Sequence, residues 1–198
     1  MFDPSANRWD AKFNISNDEN LDGVALSALA SLINEKVDPR RFNGAQFDYI
    51  EIADVDDRFG TVWSKSLSCE EAPSRARKRV RSGDVLMSTV RPERGCVGVV
   101  PPHLDGAICS TGFAVLRPHG IDPYFLVFLL KSDSVIGQIA RIMSGVAYPS
   151  INETLVPNLV IPNELLRRAD LQKTAKDYSE LATAFTSKYL DLIQCAAS

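Results

Sequence analysis

The chain has 198 residues, 45% of them hydrophobic and 24% charged, which is the balance of a globular protein with a real core and excludes disordered and collagen-like classes. Its 22 basic and 25 acidic side chains leave a net charge of −3, which argues against a uniformly basic nucleic-acid binder but leaves room for a local patch. The four cysteines, Cys69, Cys96, Cys109 and Cys195, form no C-x-x-C pair, and His103 and His119 are the only histidines. A metal site of the usual zinc spacing and a disulfide framework are both disfavoured.

No basic segment followed by an apolar one opens the chain, so no secretory signal is expected. The longest apolar run, Tyr124 to Leu130, falls far short of the ~18–20 residues that a membrane span requires. The expected compartment is the cytoplasm, with no membrane attachment.

Residues 1–20 are polar and read as an arm lying on the domain. Asp22 precedes Val24, Leu26, Leu29, Leu32 and Ile33, a spacing that predicts a short amphipathic helix. Short β-prone pieces follow. Tyr49 to Val55 reads as a strand, Asp56 to Gly60 as a turn, and Thr61 to Trp63 as a returning partner. Ser82-Gly83-Asp84 turns into Val85 to Val90, and Cys96 to Val100 and Ala107 to Leu116 add apolar segments. Strands at this spacing favour a compact, mostly antiparallel β-domain.

After Asp122-Pro123 the period becomes helical through Met143, with Gly145 as the stop. Ser144 to Ser150 reads as a loop, and Leu155 to Ile161 as a short strand between Pro157 and Pro162. Leu171, Ala175, Tyr178, Ala182, Phe185, Tyr189, Leu192 and Ala196 then recur at alternating intervals of four and three. That is the apolar seam of a coiled coil, on one helix uninterrupted from Asn163 to Ser198. Lys173 with Asp177 and Lys176 with Glu180 are spaced to pair on its outer side. The helix can fold back onto its own domain or pair with another helix. The fold class read from this order is α+β: a β-rich domain with short helices over 1–161 and one long C-terminal coiled-coil helix over 162–198.

Charge is segregated. Between Arg75 and Arg94 lie seven cations, Arg75, Arg77, Lys78, Arg79, Arg81, Arg91 and Arg94, against Asp84 and Glu93. A basic stripe on an acidic protein is the electrostatic footprint of a polyanion site. Guanidinium groups clamp phosphate, and in the major groove they can hold guanine by two hydrogen bonds. The plainer reading is a solvated turn between strands. Catalytic patterns are scarce: there is no phosphate-binding G-x-x-x-x-G-K loop, and Asp122-Pro123-Tyr124 reads as a helix start. His103, Asp105, Cys109 and Ser110 lie close in sequence but lack a nucleophile elbow, so a small hydrolase is a distant third reading. The cysteines read better as small core residues.

The order of these pieces resembles one half of a type I restriction–modification DNA specificity subunit, a single target recognition domain followed by one conserved-region helix. The resemblance is carried by Arg8-Trp9-Asp10-Ala11, by Tyr49 to Val55 with Gly60, by Arg81 to Pro92 and by Ile108 to Pro118. It continues through Pro123 to Leu126 and through Ser144-Gly145, Tyr148 and Ile151 to Ile161-Pro162. The chain departs from the family pattern in holding one half only, and in lacking a Pro-rich, Gln-containing entry to its helix.

The resemblance implies a non-catalytic subunit that binds double-stranded DNA. It would direct a DNA adenine methyltransferase (modification) subunit and a restriction/translocase subunit to a bipartite site. S-adenosylmethionine, ATP and Mg are implied for those partners, and no cofactor for this chain. The missing half would come from a homodimer through the terminal helix, with an inverted-repeat target; the alternatives are a truncated subunit or a domain that pairs with a different half. The expected DNA-contacting residues are Lys65, Arg75, Arg77, Lys78, Arg79, Arg81, Arg91 and Arg94, followed by Ser144 and Tyr148. The expected dimer residues are the eight of the seam, Leu171 to Ala196. The competing reading is a coiled-coil adaptor that keeps the fold, binds a protein and ignores DNA.

Overall fold

The computed structural model describes residues 21–42, 46–143 and 149–197. Among the described residues ten strands form three sheets. Strands β1 (Gly23–Ala25) and β10 (Val160–Pro162) make an antiparallel pair that ties the start of the described chain to the root of the C-terminal helix. Strands β2 (Ala30–Ile33), β9 (Phe113–Pro118), β6 (Val85–Ser88) and β7 (Val97–Val99) form an antiparallel sheet in that spatial order. Strands β4 (Lys65–Ser68), β3 (Gln46–Ile50), β8 (Ile108–Ser110) and β5 (Ala76–Arg79) form the third, in which only β3 and β8 run parallel.

Alternation along β9 explains the layering. Ala114 and Leu116 face a core shared with the helices, while Phe113 and Val115 face a second core containing residues of the other four-stranded sheet. Strand β6 divides the same way, with Val85 and Met87 on one side and Leu86 on the other. A strand buried on both faces reads as a continuous apolar run, as both of these do.

Helices α1 (Pro123–Leu130) and α2 (Asp133–Ile142) cover the outer face of the β2-β9-β6-β7 sheet. Asp122 caps α1 by accepting from the Tyr124 and Phe125 amides at 2.8 and 3.1 Å, and Pro123 fills the first turn. The single helical stretch expected after Pro123 is two helices. The chain breaks at Lys131 and Ser132, where the Lys131 ammonium donates to the Asp57 carbonyl and the Ser132 hydroxyl to that of Leu129.

Other expectations are corrected. Residues 24–33 form no α-helix but two short strands flanking one 3-10 turn, Leu26–Ala28. Their backbone groups go to partners distant in sequence: the Leu26 amide donates to Leu159, and Gly23 lies so close to Ile161 that a Cβ there would sit 2.4 Å from its carbonyl oxygen. Tertiary pairing overrides the helical spacing. The strand expected through Val55 stops at Ile50, where Glu51 and Asp54 cap a 3-10 turn reciprocally. Its partner is β4, and residues 61–63 contribute only the bridge from Val62 to Val55. The segment expected as a strand over 155–161 is mostly a 3-10 helix, Glu153–Asn158.

The C-terminal helix is also divided, into α3 (Asn163–Leu166) and α4 (Ala169–Ala197), with the break at Arg167 and Arg168. Arg168 forms a bidentate pair with Asp170 at 2.7 and 2.6 Å, which holds that carboxyl down at about 2. Among the described residues the expected pairs of Lys173 with Asp177 and Lys176 with Glu180 do not form. Helix α4 still spans about 43 Å at 1.5 Å per residue.

The seam divides along its length into a docked part and an exposed part. Ala175 (0% exposed) and Ala182 are buried, Leu171 is half-buried against the core, and Tyr178 stacks edge-on against Tyr124 at 5.2 Å, so the first half docks on α1. The Tyr178 hydroxyl also donates to the Phe59 carbonyl at 2.6 Å. From Leu181 onward the large apolar side chains stand out. Leu181, Phe185 and Leu192 are 68%, 58% and 69% exposed, and Tyr189, 40% exposed, meets the Trp63 ring at 5.0 Å and the Phe185 ring. Ala196 lies on α4, but its side chain is outside the description.

Candidate nucleic-acid interface

The basic stretch is not a turn. Ala76 to Arg79 is strand β5, and its pleat sends alternate residues to opposite faces. Ala76 and Lys78 point inward and are buried, while Arg77 and Arg79 point outward. Lys78 is 4% exposed, and its ammonium donates to the Phe113 carbonyl at 2.7 Å and pairs with the Glu153 carboxylate. That ammonium ties β5 to β9 and to the 3-10 helix of residues 153–158. It is a structural cation facing away from solvent, which removes Lys78 from the outward-facing set.

The outward arginines sit beside a segment that the charge pattern did not single out. Residues 35–37 run along the outer edge of β5: Val37 and Arg79 donate their amides to Arg77 and Glu35, and Lys36 bridges Lys78. The chain then enters the turn Pro39–Arg41, capped by Asp38. This places Lys36, Arg40 and Arg41 beside Arg77, Arg79 and Arg81, with Glu35 and Asp38 among them. Asp38 lies 3.4 Å from Arg77 and 3.5 Å from Arg40, and Glu35 lies 3.8 Å from both Arg79 and Arg81. These pairs are partly or largely exposed and hold their cations weakly. Arg79 also lies over the Phe42 ring at 5.8 Å. Arg40 and Arg41 could have been suspected as an adjacent basic pair, but only the β5 edge pairing brings them to the ridge.

A second group stands at the Arg75 end of β5. The Arg75 carbonyl accepts from Thr111, Gly112 accepts from the Thr89 amide at 2.8 Å, and the Arg91 amide donates to Pro149 at 2.8 Å. Val90 bridges Ser150, and the Ile151 amide donates to Thr89. This backbone relay links the Arg75 end of β5, through Gly112 and Thr89, to the turn that carries Arg91 and Arg94. Among the described residues none of the three forms an ion pair. Arg75 and Arg94 are exposed and Arg91 is half-buried. Arg91 is also the only described non-glycine residue with a positive φ (φ 48, ψ 49), and it precedes Pro92. Ser144 and Tyr148 lie outside the described residues, but the segment that follows them, from Pro149, is the one that meets Arg91.

Lys65 stands apart, on the opposite edge strand of that sheet. It pairs with Glu51 and lies 3.5 Å from Asp54, and these carboxylates raise its pKa. The hydrolase reading fails on geometry and charge. Cys109 is fully buried, its thiol pushed up to about 12 by desolvation, whereas a nucleophile needs an accessible thiolate. Ser110 is buried and accepts from the Gly112 amide at 3.1 Å. Among the described residues no three His, Cys, Asp or Glu side chains are grouped to hold a metal ion, and no helix is long and apolar enough to cross a membrane.

No family model matches the chain. Over 106 residues it is 34% identical to the type I restriction enzyme HindI specificity subunit of Haemophilus influenzae, a match taking in 48% of this chain and 23% of that protein. Its fold is similar to the crystal structure of the HsdS subunit from Thermoanaerobacter tengcongensis, with a TM-score of 0.63, 32% identity, and coverage of 87% of this chain and 47% of that one. It is similar, too, to a chain in a structure on complex assembly and conformational transition of the type I R-M system. There the TM-score is 0.65 and the identity 33%, over 88% of this chain and 44% of the other. The chain thus spans less than half the length of each of these relatives. By sequence and by fold it is a homologue of the specificity subunits of type I restriction–modification systems, equivalent in extent to about half of one.

Proposed function

We propose that the chain is the DNA-reading module of a type I restriction–modification complex, non-catalytic itself. The head would place the ridge of Arg77, Arg79 and Arg81, with Arg40 and Arg41, along one duplex backbone, and Arg75, Arg91 and Arg94 at the edge of the adjoining groove. Arg75 to Arg81 extends about 20 Å at 3.3 Å per strand residue, the rise of about six base pairs. The partners would be a DNA adenine methyltransferase subunit and a restriction/translocase subunit, which would bring S-adenosylmethionine, ATP and Mg. Two copies would pair through the outer half of α4, so that Leu181, Phe185, Tyr189 and Leu192 become covered and two heads meet an inverted repeat.

The observation that carries this reading is the outward ridge of Arg77, Arg79 and Arg81, joined by Arg40 and Arg41, on a head homologous to specificity subunits. A gel shift of the full chain on a randomised duplex pool at two salt concentrations, with sedimentation mass, tests it. Selective binding that weakens steeply with salt, by a species of twice the chain mass, is expected. A dimer that ignores every duplex, with and without a methyltransferase partner, would instead support the adaptor.

A further inference from the structure

Arg91 is the one place where the described backbone adopts a conformation its residue type disfavours. An L side chain at φ 48 crowds the neighbouring carbonyl, and a residue preceding proline is further driven toward extended backbone. Glycine would relieve the first of these at once, and the chain uses glycine at Gly60, Gly83, Gly95, Gly106 and Gly120 for positive φ. At position 91 it keeps an arginine. Strain of this kind persists only where the surroundings hold it, and it concentrates at working sites.

The surroundings do hold it. On one side the Arg91 amide is fixed to Pro149 at 2.8 Å and Val90 to Ser150. On the other, Pro92 is buried and the turn Pro92–Arg94 packs against α2. The Arg91 carbonyl accepts from Arg94 at 3.1 Å, closing the turn. The Cα is therefore clamped from before and after, while the guanidinium stays half-exposed with no ion pair among the described residues. Arg77, Arg79 and Arg81, by contrast, share the carboxylates of Asp38 and Glu35.

Contact with phosphate tolerates a mobile side chain, whereas two simultaneous hydrogen bonds to the O6 and N7 of guanine need a fixed origin and direction. Resting on the DNA-reading proposal above, we infer that Arg91 is the specificity-determining residue for one guanine. Its left-handed backbone sets the aim of the guanidinium into the major groove. Arg75 and Arg94, on unstrained backbone beside it, are phosphate contacts that set register.

Selection from a randomised 30-bp duplex pool with the full chain, followed by affinity measurement on the winning and a scrambled duplex, tests this assignment. The wild type should enrich a site with an invariant guanine. The R91G variant should melt at the same or a higher temperature, bind the winner at least tenfold more weakly, and bind the scrambled duplex nearly as before. Reselection with R91G should lose preference at one position only, and R91K should not restore it. R94A should weaken both duplexes alike. If R91G enriches the same site with unchanged affinity, or loses winner and scrambled duplex equally, Arg91 does not read a base. If the wild type itself enriches nothing, the DNA-reading proposal fails first, and this assignment with it.

Discussion

Arg117 grips Asp84 through two parallel hydrogen bonds, Nε to Oδ1 at 2.8 Å and Nη2 to Oδ2 at 2.9 Å, and Asp84 is 1% exposed. The same Oδ2 accepts the Arg81 amide at 2.8 Å. One carboxylate therefore joins β9 to the turn that ends the basic ridge. Removing one partner of such a pair leaves a buried charge without compensation. The R117A variant, which strands the buried Asp84 carboxylate, should lose about 3 kcal/mol of stability in urea unfolding. A loss well under 1 kcal/mol would mean that water reaches the site and takes over.

Lys78 and Arg94 belong to one charge run and should behave oppositely. K78A strips the donor from the Phe113 carbonyl and from Glu153, so it should destabilise by about 2–3 kcal/mol with little change in the salt dependence of DNA binding. R94A should leave the melting temperature in place and reduce the slope of log affinity against log salt by about 1. Calorimetry and binding at three salt concentrations separate the two.

Along α4 the split between docked and outward residues is equally testable. A175L forces a larger side chain into the fully buried contact with the head and should cost about 1–3 kcal/mol. Leu181→Asp with Leu192→Asp should leave the unfolding midpoint of the lone chain near the wild-type value and abolish the dimer in sedimentation equilibrium. A double variant that still dimerises would place the pairing surface elsewhere.

Stability should also fall in alkali. Burial holds the Cys109 thiol at about 12, the Cys96 thiol at about 11 and the Tyr124 phenol at about 12, against ordinary values of 9.0 for a thiol and 10.0 for a phenol. Because the folded values are raised, the contribution is whole below pH 9 and disappears as the pH climbs toward 12. The urea midpoint should begin to drop above pH 9, and C109A should flatten part of that slope. A midpoint constant from pH 8 to 11 would show that these groups are solvated in the folded chain.

The sequence disclosed the pieces whose signal is local. The Asp56–Gly60 turn, β6 and β7, the Asp122 cap and the helical run after it are set by spacing, glycine and proline within a few residues. It misled where pairing partners are distant. Residues 24–33 carry helical spacing, yet their backbone is satisfied by β10 and β9, more than 80 positions away. The basic run was visible as charge, but its division was not. Only the pleat of β5 turns Lys78 inward beneath Arg77 and Arg79, and only the edge pairing of residues 35–37 adds Arg40 and Arg41. Nothing in the residue types around Arg91 announces a left-handed backbone, since the constraint comes from Pro149 and from the turn packed on α2.

Helix α4 turns small side chains, Ala175 and Ala182, to its own head, and carries the bulky Phe185 and Leu192 exposed toward its far end. Folding of the body can thus finish before anything covers the tail. A newly made copy is a completed globule trailing a greasy handle, which is what chaperones and proteases seize. Under the pairing proposed above, its lifetime in the cell would follow how fast the handle is covered, and surplus copies without company would be the first to be cleared.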